Sequence, residues 1–150
     1  MAICAPTTVL ARQHYDTFRR RFAPFGITVG HLSRLVTGKP AAALRAGLAD
    51  GSVRIAVGTH ALLGKNVSFA DLGLLVIDEE QRFGAAHKEK LRELGQGLHV
   101  LSMSATPIPR TLAMSAYADL DTSVLDELPP GRTPVNTVSV TDSRREEVVE

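Results

Sequence analysis

Leu72-Gly73-Leu74-Leu75-Val76-Ile77 is the longest uninterrupted apolar run in this 150-residue chain, and three acids, Asp78, Glu79 and Glu80, follow it without a spacer. A strand that is apolar at every position needs cover on both faces, which a mainly parallel sheet with helices packed on either side provides. An α/β domain is therefore expected. The run is far shorter than the roughly 20 residues of a membrane span, and Met1 is not followed by the charged and apolar regions of an export signal. Cys4 is the single cysteine, so it has no internal disulfide partner and belongs to no cysteine metal cluster, as suits a reducing cytoplasmic compartment.

The rest of the chain alternates short apolar strands with amphipathic helices. Met1 to Ala5 reads as a strand, followed by a turn at Pro6-Thr7-Thr8 that supplies a helix N-cap. Val9, Leu10, Ala11, Tyr15, Phe18 and Phe22 then recur at helical spacing, with Arg12, Arg19 and Arg20 largely off that stripe. Ile27, Val29 and His31 alternate as a second strand, and a helix over Ala41 to Leu48 closes on Asp50-Gly51. Val53 to Val57 is a third strand, ended by Gly58-Thr59-His60. Beyond the acids, a helix is expected from Ala85 to Leu94 with Gly95 just past its end, and a strand from His99 to Met103 that runs into Ser104-Ala105-Thr106-Pro107. Another helix is expected from Pro109 to Ala118, since proline is tolerated only near a helix start, and Val124-Leu125 reads as a short strand. Glu127 to Pro134 has the composition of a stiff linker, and Val135 to Val140 alternates like the first strand of a further unit.

Four polar or small-residue clusters each follow directly on an expected strand: Pro6-Thr7-Thr8, Gly58-Thr59-His60, Asp78-Glu79 and Ser104-Ala105-Thr106. In an open parallel sheet all four gather at the carboxyl edge, where such folds bind ligands. Paired acids at a buried strand tip can hold a hydrated divalent cation with one carboxylate and orient a water with the other; acids after a strand can also be merely solvated or cap the next helix. Thr7, Thr8, Gly58 and Thr59 suit phosphate contacts through small side chains and free N–H groups, although such residues are common at turns for backbone reasons alone. Charge divides along the chain: residues 1–65 hold nine Lys/Arg against two Asp/Glu, a balance of +7, whereas residues 66–150 hold eight against fourteen, a balance of −6. A polyanion fits the first part and a cation the second. His14, His31, His87 and His99 are not at metal-ligand spacing and are assigned to surface or core structure, and Cys4 to the core.

Ala5-Pro6-Thr7-Thr8-Val9-Leu10-Ala11-Arg12-Gln13-His14, Val57-Gly58-Thr59-His60-Ala61-Leu62-Leu63, Val76-Ile77-Asp78-Glu79-Glu80-Gln81-Arg82-Phe83-Gly84 and Ser104-Ala105-Thr106-Pro107-Ile108-Pro109-Arg110-Thr111-Leu112 resemble motifs Ia, Ib, II and III of superfamily 2 helicases. The resemblance covers about residues 1 to 148 and is closest to the branch shared by RecG and the transcription-repair coupling factor. Residues 116–135 look like RecG, the favoured branch; Leu32-Ser33-Arg34-Leu35 and the Glu80-Gln81 form of motif II look more like the coupling factor. The resemblance implies a RecA-like parallel sheet with helices on both faces and an ATP-dependent double-stranded DNA helicase or translocase acting on forks and branched DNA in repair and recombination. It implies ATP and Mg²⁺ as cofactors, DNA as partner, and RNA polymerase as partner only in the coupling-factor alternative.

By the same resemblance Asp78 would be the acid that holds Mg²⁺ through water, Glu79 the residue orienting the attacking water, and Gln81 the γ-phosphate sensor. Ser104, Ala105 and Thr106 would couple that site to the DNA side, and Thr7, Arg12, Gly58, Thr59 and His60 would contact the DNA backbone. No Gly-x-x-x-x-Gly-Lys-Ser/Thr phosphate loop occurs in the chain. Residues 1–125 are accordingly expected to be an incomplete motor domain 1, residues 126–134 a linker and residues 135–150 the start of motor domain 2, with the chain by itself inactive towards ATP. The alternatives of another class are a non-catalytic DNA-binding remnant that uses only the basic N-terminal part, and an unrelated metal-dependent phosphohydrolase using Asp78, Glu79 and Glu80.

Overall fold

The computed structural model describes residues 1–105, 121–127, 129–133, 135 and 137–141. It contains a five-stranded, wholly parallel sheet formed by β1 (Ala2–Cys4), β2 (Val29–Leu32), β3 (Ile55–Gly58), β4 (Leu74–Asp78) and β5 (His99–Met103), in the order β2-β3-β1-β4-β5. From β1 the chain crosses to the edge strand β2, steps back to β3 and then passes β1 to β4 and β5, so the connections that leave the neighbouring strands β1 and β4 run in opposite directions. Such a switch point leaves a crevice at the carboxyl ends of the strands.

Both faces of the sheet are covered, as the apolar run at β4 requires. On one face α1 (Thr8–Phe22) lays Tyr15, Phe18 and Phe22 against Ile3, Val29, Ile55, Val57 and Val76. On the other, α2 (Gly38–Asp50) and α3 (Ala85–Gly95) contribute Leu44, Leu48 and Leu91 to a second cluster with Cys4, Leu32, Leu75 and Ile77. Alternate residues of β1 and β4 thus enter opposite cores. Val9, counted in the apolar stripe of α1, is 67% exposed, and the buried stripe begins at Ala11. Cys4 lies in the core, and burial pushes its thiol up to about 12.

Most boundaries move by a residue or two from expectation. α2 begins at Gly38, ahead of Ala41, and ends on Gly51 in the left-handed conformation. Gly95 is the last residue of α3 rather than the one after it, and Gly97 carries the positive φ of that turn. Val124 and Leu125 form no strand: Leu125 is 99% exposed and pairs with no ladder among the described residues. The described residues of the 135–140 segment are likewise irregular. The expected helix from Pro109 to Ala118 lies outside the described residues.

The chain divides into a unit spanning Met1–Ile108 and a second spanning Pro109–Glu150. In the second, Arg132 N–H donates to Pro129 O at 3.2 Å and Gly131 has φ +85°. Proline followed by a positive-φ glycine at the two central positions is the residue order of a type II turn, so the Pro-Pro-Gly segment turns the chain sharply. No helix among the described residues is long and apolar enough to cross a membrane.

Candidate functional site

β4 carries Asp78 to the carboxyl edge of the sheet, where its Oδ2 lies 2.6 Å from His14 Nε2 on α1. Both side chains are largely covered, 15% and 24% exposed. His14, assigned by sequence to general structure, therefore belongs to the acidic site. The two residues are 64 positions apart, and no local pattern links them.

Glu79 then turns the chain out of the strand. Its φ of 53° and ψ of 48° make it the one non-glycine residue at positive φ among the described residues. That conformation costs an L-residue about 1–2 kcal/mol, so the surroundings must hold it. They do so through Glu79 N–H to Met103 O and Arg82 N–H to Glu79 O, both 2.9 Å, the latter closing the single 3₁₀ turn Glu80–Arg82.

The acids are also tied across the sheet. Glu79 Oε1 accepts from the Ala105 N–H at 3.1 Å, and its Oε2 accepts from Gln81 Nε2 at 2.5 Å. Ser102 Oγ donates to Glu80 Oε2 at 2.6 Å. A carboxylate held by two donors is oriented rather than free to rotate. Hydrogen bonds from Ser102 and from Ala105, just past β5, thus join the acidic tip of β4 to the neighbouring strand; Thr106 lies outside the described residues. Among the described residues there is no group of three or more His, Cys, Asp or Glu that could enclose a metal ion. The acidic site offers instead the lone, oriented carboxylate that suits a cation keeping most of its water.

A second set of residues meets over β1, β2 and β3. A cavity of about 280 Å³ is lined by Pro6, Thr7, Thr8, Arg34, Thr59 and His60. Thr7 Oγ1 accepts from Leu10 N–H at 3.2 Å and so caps α1, whereas Thr59 Oγ1 accepts from Ala61 N–H at 3.4 Å and caps the 3₁₀ turn His60–Leu63. Helix-start N–H groups and hydroxyls beside a cation are the usual furniture of a phosphate site. Arg34 was not singled out by its chemistry in the sequence, yet it follows β2 as Thr7 follows β1, and the same carboxyl-edge rule finds it. The larger cavity, about 470 Å³, lies against Met1, Val53, Arg54 and Leu72 at the opposite, amino end of the strands and holds no candidate residue.

Two of the expected backbone-contact residues have other surroundings. Gly58 sits where β3 passes β2 so closely that a Cβ on it would stand 2.2 Å from Leu32 O. Its lack of a side chain is thus already required by the sheet. Arg12 is absent from the cavity lining: its Nε is 3.1 Å from Asp16 Oδ2, and its guanidinium lies 5.6 Å from the Tyr15 ring centre. His60, by contrast, is on the cavity rim and stacks on His87 of α3, with ring centres 4.6 Å apart and planes 18° from parallel. Burial, followed by the neighbouring His87 and Lys90, lowers the His60 pKa below the ordinary histidine value.

The family model described as DEAD/DEAH box helicase matches residues 1–115. The ATP-dependent DNA helicase RecG of Haemophilus influenzae is 54% identical over 99% of this chain, which covers 22% of that protein. The transcription-repair-coupling factor of Bacillus subtilis is 50% identical over 93% of this chain and is covered to 12% of its own length. The chain therefore spans about a fifth or less of the curated relatives it matches. A solved structure of RecG bound to a three-way DNA junction superposes with a TM-score of 0.76 at 41% identity, covering 98% of this chain and 20% of that one.

Proposed function

This chain belongs to the DEAD/DEAH box helicase family, and from that premise we propose that it is the core of motor domain 1 of a RecG-like, ATP-dependent double-stranded DNA helicase or translocase. The activity couples ATP hydrolysis to remodelling of forks and branched DNA in repair and recombination. One observation carries this reading: the acidic strand tip and the threonine-arginine cavity share the carboxyl edge of one rigid parallel sheet.

In this reading Asp78 holds a hydrated Mg²⁺. Its Oδ2 is held beside His14 Nε2, and one carboxylate so placed would suit an ion that keeps several waters. Bound Mg²⁺ with ATP supplies charge neutralisation at the phosphates. Glu79, held by the Ala105 N–H and Gln81, would orient the attacking water, and Gln81 would sense the γ-phosphate. Ser104, Ala105 and Thr106 would couple that site to the DNA side, a role supported at Ala105 by its N–H bond to Glu79. The 150 residues contain no phosphate loop, so they supply the acidic half of the nucleotide site only, and the chain alone is inactive towards ATP.

Thr7, Thr59 and His60, with Arg34 added, contact DNA phosphates from the cavity. Gly58 serves them by letting β2 and β3 close up, and Arg12 contributes charge from outside. Contacts of this kind position a motor without reading sequence. Residues 1–125 form the motor lobe and residues 126–134 the linker, a role supported by the Pro129–Arg132 turn; residues 135–150 begin the second motor domain. A coupling-factor motor working on RNA polymerase is the second reading, favoured by the Glu80-Gln81 sequence and the 50% identity to the Bacillus protein.

Duplex binding by the chain, followed by fluorescence anisotropy between 50 and 200 mM salt, tests the assignment. Affinity should fall steeply with salt, and Arg34→Ala should lower the log–log slope by about one. Binding that is absent, or a slope that Arg34→Ala leaves unchanged, refutes the assignment of this cavity.

A further inference from the structure

His60 and His87 come from separate parts of the fold. His60 begins the 3₁₀ turn after β3 and lies on the rim of the threonine-arginine cavity. His87 lies in the first turns of α3, where its N–H donates to Gly84 O at 3.0 Å. Between the Glu79 elbow and α3 the chain is short and pinned: the 3₁₀ turn Glu80–Arg82 closes on Phe83, whose side chain is 6% exposed in the core. The start of α3 is therefore mechanically attached to the acidic site, and the stack attaches it in turn to the cavity.

We propose that His87 is a positioning residue for the phosphate cavity: stacked on His60, it holds that ring at the rim and links the position of the nucleic-acid loop to the Glu79 elbow through the start of α3. The proposal rests on the reading of the cavity as a DNA-phosphate site. It is separate from the β5 connection, because it runs through the start of α3.

The stack also sets the charge of the contact. His87, stacked on the ring, and Lys90, both on α3, act on His60 as like charges, and Arg34 lines the same cavity, so protonating His60 adds a charge near cations. Burial acts in the same direction. Both effects disfavour the protonated ring, so the contact that His60 makes depends on how the stack orients it.

The test uses the 150-residue chain, its His87→Phe and His87→Ala variants, NMR titration of the His60 ring and duplex-binding anisotropy at pH 7.5 and pH 6. Phenylalanine keeps the stack and removes the like charge, so His60 should titrate at higher pH than in the parent. Duplex affinity should then match the parent within twofold at pH 7.5. At pH 6 it should be tighter by about two- to fivefold, the worth of one exposed ion pair. Alanine removes the stack, and affinity at pH 7.5 should fall about threefold or more with the circular-dichroism melt retained.

A His60 titration unmoved in both variants overturns the proposal, as does a folded His87→Ala chain that binds duplex like the parent at both pH values. If His60 titrates as expected but the parent chain binds no duplex, the phosphate-site reading is what has failed, and the positioning role falls with it.

Discussion

Gly58→Ala separates two reasons for a glycine at the end of β3, the closeness of the sheet and the approach of a phosphate. A Cβ there would stand 2.2 Å from Leu32 O, 2.9 Å from Leu62 Cγ and 3.1 Å from Leu32 C. Two of the three neighbours are backbone, which cannot swing aside, so β2 must move away from β3. Overpacking of this kind costs about 1–3 kcal/mol. The movement also strains the Thr59 N–H to Leu32 O hydrogen bond, 3.1 Å long, whose loss costs about 0.5–1.5 kcal/mol. Against this, alanine makes the unfolded chain less flexible, a gain of about 0.4–1 kcal/mol. The net expectation is a loss of about 2 kcal/mol. With a urea m-value of about 1.5 kcal/mol/M, the unfolding midpoint should fall by a little over 1 M with the slope unchanged. Equilibrium urea unfolding followed by circular dichroism reads this directly. A loss below about 0.5 kcal/mol, within the usual scatter of surface changes, would show that the sheet does not demand glycine here and that the packing argument is wrong.

Three further outcomes are expected. Glu79→Gly should be more stable than Glu79→Ala by about 1 kcal/mol, the reverse of the order in a regular helix or strand, because both delete the carboxylate but only glycine accepts φ 53° without cost; equal urea midpoints would contradict the left-handed elbow. Cys4, buried and with its thiol pushed up to about 12, should resist alkylation at pH 8 in the native chain and react promptly in denaturant, and fast native labelling would contradict its place in the core. Burial, then Arg12, lowers the His31 pKa against the opposing pull of Asp16, so below the ordinary value of 6.5 the unfolded chain binds more protons than the folded one. Stability contributed by neutral His31 is whole above that pH and is lost as pH falls through the lowered folded value; His31→Phe, which can keep the ring stack on Tyr15, should reduce the fall in urea midpoint between pH 7 and pH 5, and an unchanged fall would refute the assignment.

The strand tips were legible because their signal is local. A short Leu/Val/Ile run suits a strand buried on both faces, and parallel sheets place their strand ends together, so the sequence alone groups Asp78, Glu79, Thr7, Thr59 and Ala105. Cys4 was read correctly for the same reason. Val124-Leu125 misled because two β-compatible residues are too few to imply a partner, and β-structure exists only through pairing. Gly95 misled because a helix end accepts several closures, and the turn used Gly97 for its positive φ instead.

By itself the sequence determined the α/β class, the acidic strand tip and the small polar residues that follow each strand, since hydrophobic period and turn chemistry act over a few neighbouring positions. Only the tertiary structure decided that His14 orients Asp78, that Ser102 and the Ala105 N–H hold the acids, that Arg34 joins Thr7 and Thr59 while Arg12 turns to Asp16, and that His60 stacks on His87. Apart from the Arg12–Asp16 choice, each of these joins residues far apart in sequence through the strand order β2-β3-β1-β4-β5. That order follows from how all the helices share two faces of one sheet, a property of the whole packed chain that no local window of residues contains.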